Sequence, residues 1–170
     1  MKRSVFLNRI LLFLGYSSSN ILLNSCSIDD DKENNKEILS EEEILYKNLK
    51  EKTAETGNYL EGKILYVDIT NENYSKLSDV GSFVNDTDNY TLLLRNTEQE
   101  IKAFSNCCPH LGTSDRWSYS DGKFRCANHG NSYGTGSGFV ANCSSNSTSG
   151  NLKQYNTELV KDILSVDFND

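Results

Sequence analysis

The chain has 170 residues, a formal net charge of −7 and an isoelectric point near 4.9. That length holds one modest domain and a tether but no second catalytic domain, and the acidic balance argues against nucleic acid, which calls for a basic face. The glycines of Gly134-Thr135-Gly136-Ser137-Gly138 lack the strand-to-helix flanks of a nucleotide-binding loop.

Residues 1–25 resemble a lipoprotein signal peptide. Lys2, Arg3 and Arg9 form a basic start, 10–14 and 21–23 are short apolar runs, and Leu23-Asn24-Ser25-Cys26 sets a small residue before a cysteine. Tyr16 to Asn20 break the apolar stretch, which falls short of the roughly 20 apolar residues of a membrane-spanning helix. Cys26 is then the lipid-bearing first residue of the mature protein, and its acyl chains hold it on a membrane. Lys2-Arg3 with Phe6-Leu7 partly fits a twin-arginine signal, so both export routes stay open.

Residues 26–58 read as an acylated tether and a short helix. The tether is rich in Asp, Glu, Lys and Asn, a composition that stays solvated. Ser40 and Glu43 fit a capping box, so the spacing predicts a helix from Glu41 to about Ala54, with Ile44, Leu45 and Leu49 on one apolar stripe.

From residue 59 to 170 the pattern is all-β, with short β-branched and aromatic runs between polar turns. Strands are expected at Ile64 to Ile69, Tyr90 to Arg95, Glu100 to Ser105, Lys123 to Cys126, Leu152 to Tyr155 and Ile163 to Asp167. Turns fall at Asn96-Thr97-Glu98-Gln99 and Ser120-Asp121-Gly122.

Two stretches carry the chemistry. Cys108-Pro109-His110-Leu111-Gly112 and Cys126-Ala127-Asn128-His129-Gly130 contain two of the five cysteines and both histidines of the chain. Zinc takes two sulfurs and two nitrogens as well, but its common modules pair like with like, whereas each arm here carries one cysteine and one histidine.

The motif C-x-H, fifteen residues, C-x-x-H resembles the Rieske [2Fe-2S] family. The resemblance implies that Cys108 and Cys126 bind one iron and His110 and His129 the other, in an antiparallel β-sandwich with a small cluster-binding subdomain. Two neutral imidazoles lower the negative charge on such a cluster and raise its reduction potential. Rieske oxygenases add a mononuclear iron held by two further histidines, and no histidine remains here for that role.

Relatives that oxidise quinols carry a disulfide between the ligand loops at positions held here by Thr113 and Asn128. Cys107, beside the first loop, and Cys143, in the segment expected to cover the site, either form a different disulfide or remain separate thiols. Asn131 and Tyr133 stand where high-potential relatives place a serine and a tyrosine that tune the cluster. The proline of the usual cover loop is missing, so the cover is expected to be less rigid and the site wetter. Trp117 and Phe124 are expected in the core of the cluster subdomain.

These readings describe a Rieske-type, ferredoxin-like lipoprotein of the bacterial cell envelope, periplasmic or surface-facing. It acts as an electron carrier or oxidoreductase subunit rather than a complete enzyme, with a redox partner protein such as a cytochrome, or a quinone. The alternative is a structural zinc-binding or redox-sensing envelope lipoprotein.

Overall fold

The computed structural model describes residues 39–169; the signal-like segment, Cys26 and most of the tether lie outside them. Within 39–45 the chain enters a helix through its capping box. Ser40 Oγ accepts from the Glu43 amide at 3.3 Å and Glu43 Oε2 accepts from the Ser40 amide at 2.9 Å, satisfying donors that a helix start otherwise leaves open. Helix α1 covers Glu41–Lys52. Of the expected apolar stripe, Leu49 is buried and Ile44 is exposed.

In the body, 46–169, Lys50 joins the end of α1 to the sheet. Its ammonium lies 2.5 Å from Asp68 Oδ2 and 2.9 Å from Asp162 Oδ2, and Tyr46 donates to Asp162 at 2.6 Å. Burial disfavours charge on all three ionic groups, but their mutual hydrogen bonds outweigh it. Lys50 is therefore shifted up, and Asp68 and Asp162 are shifted down.

Ten strands follow: β1 Asn58–Glu61, β2 Ile64–Asp68, β3 Phe83–Asp86, β4 Thr91–Thr97, β5 Glu100–Ser105, β6 Trp117–Ser120, β7 Lys123–Cys126, β8 Ser132–Gly134, β9 Gln154–Val160 and β10 Ile163–Asp167. Seven pair in the order β1-β2-β10-β9-β5-β4-β3, and the other three in the order β6-β7-β8, antiparallel throughout. The sandwich is one sheet curled at β9. Gln154 and Tyr155 pair with β5, whereas Asn156 to Val160 pair with β10. A 3-10 helix, Glu72–Ser78, drops Tyr74 and Leu77 into the core.

Strand alternation builds two cores and thereby positions the site. Leu93, Ile101 and Ala103 join Leu65, Val67, Leu164 and Val166 on one side. Leu92, Leu94 and Phe104 face the other side, where Phe124, Tyr133, Leu152, Cys108 and Cys126 complete a second core. Each fully buried leucine or phenylalanine here contributes about 1.5–3 kcal/mol, so the two cysteines sit on a rigid apolar floor. No helix among the described residues is long and apolar enough to cross a membrane.

The sequence pattern missed β1, β3, β6, β8 and the 3-10 helix. These are three- or four-residue strands and a polar turn of helix, too short for a periodic signal.

Candidate metal centre

The two motif loops share one backbone design. In the first, the Cys108 amide donates to the Thr113 carbonyl at 2.9 Å and its carbonyl accepts from Gly112 at 2.8 Å. In the second, the Cys126 amide donates to the Asn131 carbonyl at 2.9 Å and its carbonyl accepts from Gly130 at 2.9 Å. Gly112 and Gly130 close the loops at φ of 77° and 78°, a conformation that glycine adopts without steric cost. Each loop thus holds a cysteine at its base and a histidine at its tip, although the spacings differ by one residue.

Both cysteines are free and buried. Burial pushes the Cys126 thiol up, and the adjacent Cys108 sulfur pushes it further. The two imidazoles meet edge to face, with centroids 4.7 Å apart. His129 is exposed and His110 half-buried, and His110 Nδ1 is a buried nitrogen with no hydrogen-bond partner. A buried nitrogen of this kind is costly unless something binds it. Among the described residues no group of three or more His, Cys, Asp or Glu is placed around one metal ion; the donors form a sulfur pair and an imidazole pair instead.

Tyr133 is fully buried. Its hydroxyl lies 3.8 Å from Cys108 Sγ and donates to the Ser147 carbonyl at 2.8 Å. Burial raises its pKa, and the neighbouring Cys108 adds to the shift. Asn131 contributes its backbone carbonyl, which holds the Cys126 amide. Phe124 is surrounded by Phe83, Phe104, Trp117 and Tyr119 at centroid distances of 4.8–6.2 Å, and the Trp117 indole donates to the Asn106 carbonyl at 2.7 Å.

The cover over the first loop is strapped rather than loose. Cys107 and Cys143 are joined by a disulfide. Beyond it the amides of Ser144, Ser145 and Asn146 donate to the carbonyls of Cys108, Pro109 and His110 at 3.3, 2.8 and 3.1 Å. Across the two loops Asn128 Nδ2 donates to Thr113 Oγ1 at 3.0 Å. The rigidity that the sequence lacks in proline is supplied by these contacts, which spacing alone does not reveal.

The family model of the Rieske [2Fe-2S] domain matches residues 65–156, a stretch that includes both loops and the strap. The chain is also similar to a solved structure, the cyanobacterial plasma membrane Rieske protein PetC3 from Synechocystis PCC 6803. The identity is 20%, over 51% of this chain and 84% of that chain, with a TM-score of 0.35. No curated protein matches the chain.

Proposed function

The chain belongs to the Rieske [2Fe-2S] domain family, and on that premise we propose that Cys108 and Cys126 hold one iron as thiolates and His110 and His129 hold the other. The family's cofactor is a [2Fe-2S] cluster, which takes up and releases one electron at a time at the high potential of mixed ligation. The donor set fits that group. Two buried sulfurs lie side by side, two imidazoles meet at the loop tips, and the unpartnered His110 Nδ1 is the single observation that carries the reading.

The chain's other residues serve electron transfer in distinct ways. Phe124, Tyr133 and Leu152 exclude water from the cysteine side. The hydroxyl of Tyr133 lies beside Cys108 Sγ, where it stabilises added negative charge. The exposed ring of His129 gives the electron its outlet to a partner. We read the protein as an electron carrier or an oxidoreductase subunit rather than a complete enzyme.

The finer reading is an envelope lipoprotein, cleaved before Cys26 and lipidated there. The basic and apolar start and the small residue before Cys26 support it, and a cytochrome or quinone then serves as the redox partner.

Electron paramagnetic resonance on the chain from Ser27 onward, reduced with dithionite and assayed for metal, tests the site. A rhombic signal of mixed ligation, lost in His110→Ala or His129→Ala, is expected. Stoichiometric zinc without iron after attempted reconstitution overturns the reading. Palmitate labelling of the full chain, abolished in Cys26→Ala, tests the anchor.

A further inference from the structure

The three-stranded sheet β6-β7-β8 presents one face to the second core and the other to solvent. Trp117, Tyr119, Phe124, Cys126 and Tyr133 belong to the inner face. On the outer face the register places Ser118 and Ser132 beside Arg125, and Ser120 beside Lys123; all five residues are exposed. Lys123 and Arg125 lie two apart on β7 and so share one side. Among the described residues neither side chain makes an ion pair or a hydrogen bond. No carboxylate belongs to this face. The carboxylates of residues 106–152 are Asp115, 4.0 Å from Arg116 Nε, and Asp121, in the β6–β7 turn.

Two cations with unpaired side chains and three hydroxyls on one sheet face stand out in a chain of net charge −7, and the face borders the metal centre. Arg125 directly precedes Cys126, and its guanidinium lies so near Gly130 that a Cβ there would come within 3.0 Å of Nη2. Gly130 in turn follows the exposed His129. At physiological salt, charges farther away than about 8 Å are largely screened. An approaching partner at this end therefore meets the local cations rather than the acidic body.

We propose that the outer face of β6-β7-β8 docks an acidic redox-partner protein, whose carboxylates meet Lys123 and Arg125 and whose redox centre is thereby brought to the His129 side of the site. This rests on the electron-transfer reading above and adds the chemistry of the partner. One electron leaves the reduced protein, the partner's acceptor is reduced by one, and no bond forms or breaks. Electrostatic complementarity of this kind acts mainly on encounter rate and orientation. A protein fits the face better than an anionic membrane, because the face offers no apolar side chain to insert among lipids.

The test uses cluster-loaded protein, its loading confirmed by its spectrum, reduced with dithionite and mixed with ferricyanide from about 10 to about 300 mM salt. The local cations predict a rate that falls as salt rises, and Lys123→Glu/Arg125→Glu is expected to slow it about tenfold at low salt without altering the spectrum. A rate that rises with salt, and is the same in the variant, means that the net negative charge governs approach and overturns the proposal. Binding of a poly-glutamate peptide provides a second readout that needs no electron transfer. It is expected to be at least about fivefold weaker in the double variant. Binding to phosphatidylglycerol vesicles with none to poly-glutamate also overturns the proposal. Failure of the electron-transfer reading is distinct, since the cluster spectrum is then missing while the peptide measurement still reports on the face.

Discussion

Asn128 reaches across the two motif loops and donates to Thr113 Oγ1 at 3.0 Å, at the pair of positions where quinol-oxidising relatives carry a disulfide. Here the loops are joined by a hydrogen bond between exposed groups, worth no more than about 1 kcal/mol. Asn128→Ala is expected to lower stability by that amount or less. The double variant Thr113→Cys/Asn128→Cys is expected to oxidise to a disulfide and gain up to about 3 kcal/mol for a loop of this length. Thermal unfolding with and without dithiothreitol checks both: because the reductant also opens Cys107–Cys143, its effect on melting temperature should be larger in the double variant than in wild type, and an equal effect contradicts the placement of the two side chains.

The disulfide that the chain does possess, Cys107–Cys143, closes a loop over a sequence separation of 36. Chain entropy gives such a link about 4 kcal/mol at most. Ser145 and Asn146 still bond to the first loop without it, so Cys143→Ser is expected to fold, to be about 2–4 kcal/mol less stable and to release iron faster on heating. Wild-type protein kept in dithiothreitol should behave like the variant. Equal melting temperatures in all three samples would mean that the backbone bonds alone hold the strap.

The two loops were legible in sequence because few residue types bind metals and the chain has only two histidines. The strands at Glu100–Ser105, Lys123–Cys126 and Ile163–Asp167 were also legible, since alternation or a β-branched run marks them. Strand β9 was legible only at its start, since the expected strand Leu152 to Tyr155 overlaps Gln154–Val160 at two residues. Its inward positions are only half-buried, because it lies where the sheet curls from one leaf to the other. Cys143 could not be assigned a partner from spacing, since a separation of 36 carries no register. The contacts of Asn128 and Arg125 depend on how two loops meet in space, and no local pattern encodes that.

The Lys50, Asp68 and Asp162 cluster sets a pH window for stability. A carboxylate whose folded pKa is lowered binds protons more readily when unfolded. The contribution of Asp68 and Asp162 is therefore complete above their ordinary value of about 3.9 and is lost as pH falls through the lower folded values. Lys50 is shifted up, so its contribution is complete below about 10.4 and is lost as pH rises through the higher folded value. Between those limits Lys50→Met is expected to cost about 1–3 kcal/mol, because two partly buried carboxylates lose their common partner. Urea unfolding from pH 3 to pH 8 checks this: the gap between wild type and variant should narrow toward pH 3, and a gap independent of pH would assign the loss to packing.

Tyr133 offers one proton to two acceptors. Its hydroxyl is 2.8 Å from the Ser147 carbonyl and 3.8 Å from Cys108 Sγ, and an ionised Cys108 competes for that proton more strongly than a thiol does. A hydrogen bond of about 1 kcal/mol that favours the reduced, more negative state corresponds to about 40 mV for a one-electron couple. Tyr133→Phe keeps the buried ring and is expected to lower the reduction potential by about that much, with the wild type near the middle of the roughly −150 to +300 mV Rieske range. A redox titration followed by electron paramagnetic resonance measures both. An unchanged potential would show that the hydroxyl keeps donating to the Ser147 carbonyl, which would leave Tyr133 as a fastener of the strap rather than a tuner of the site.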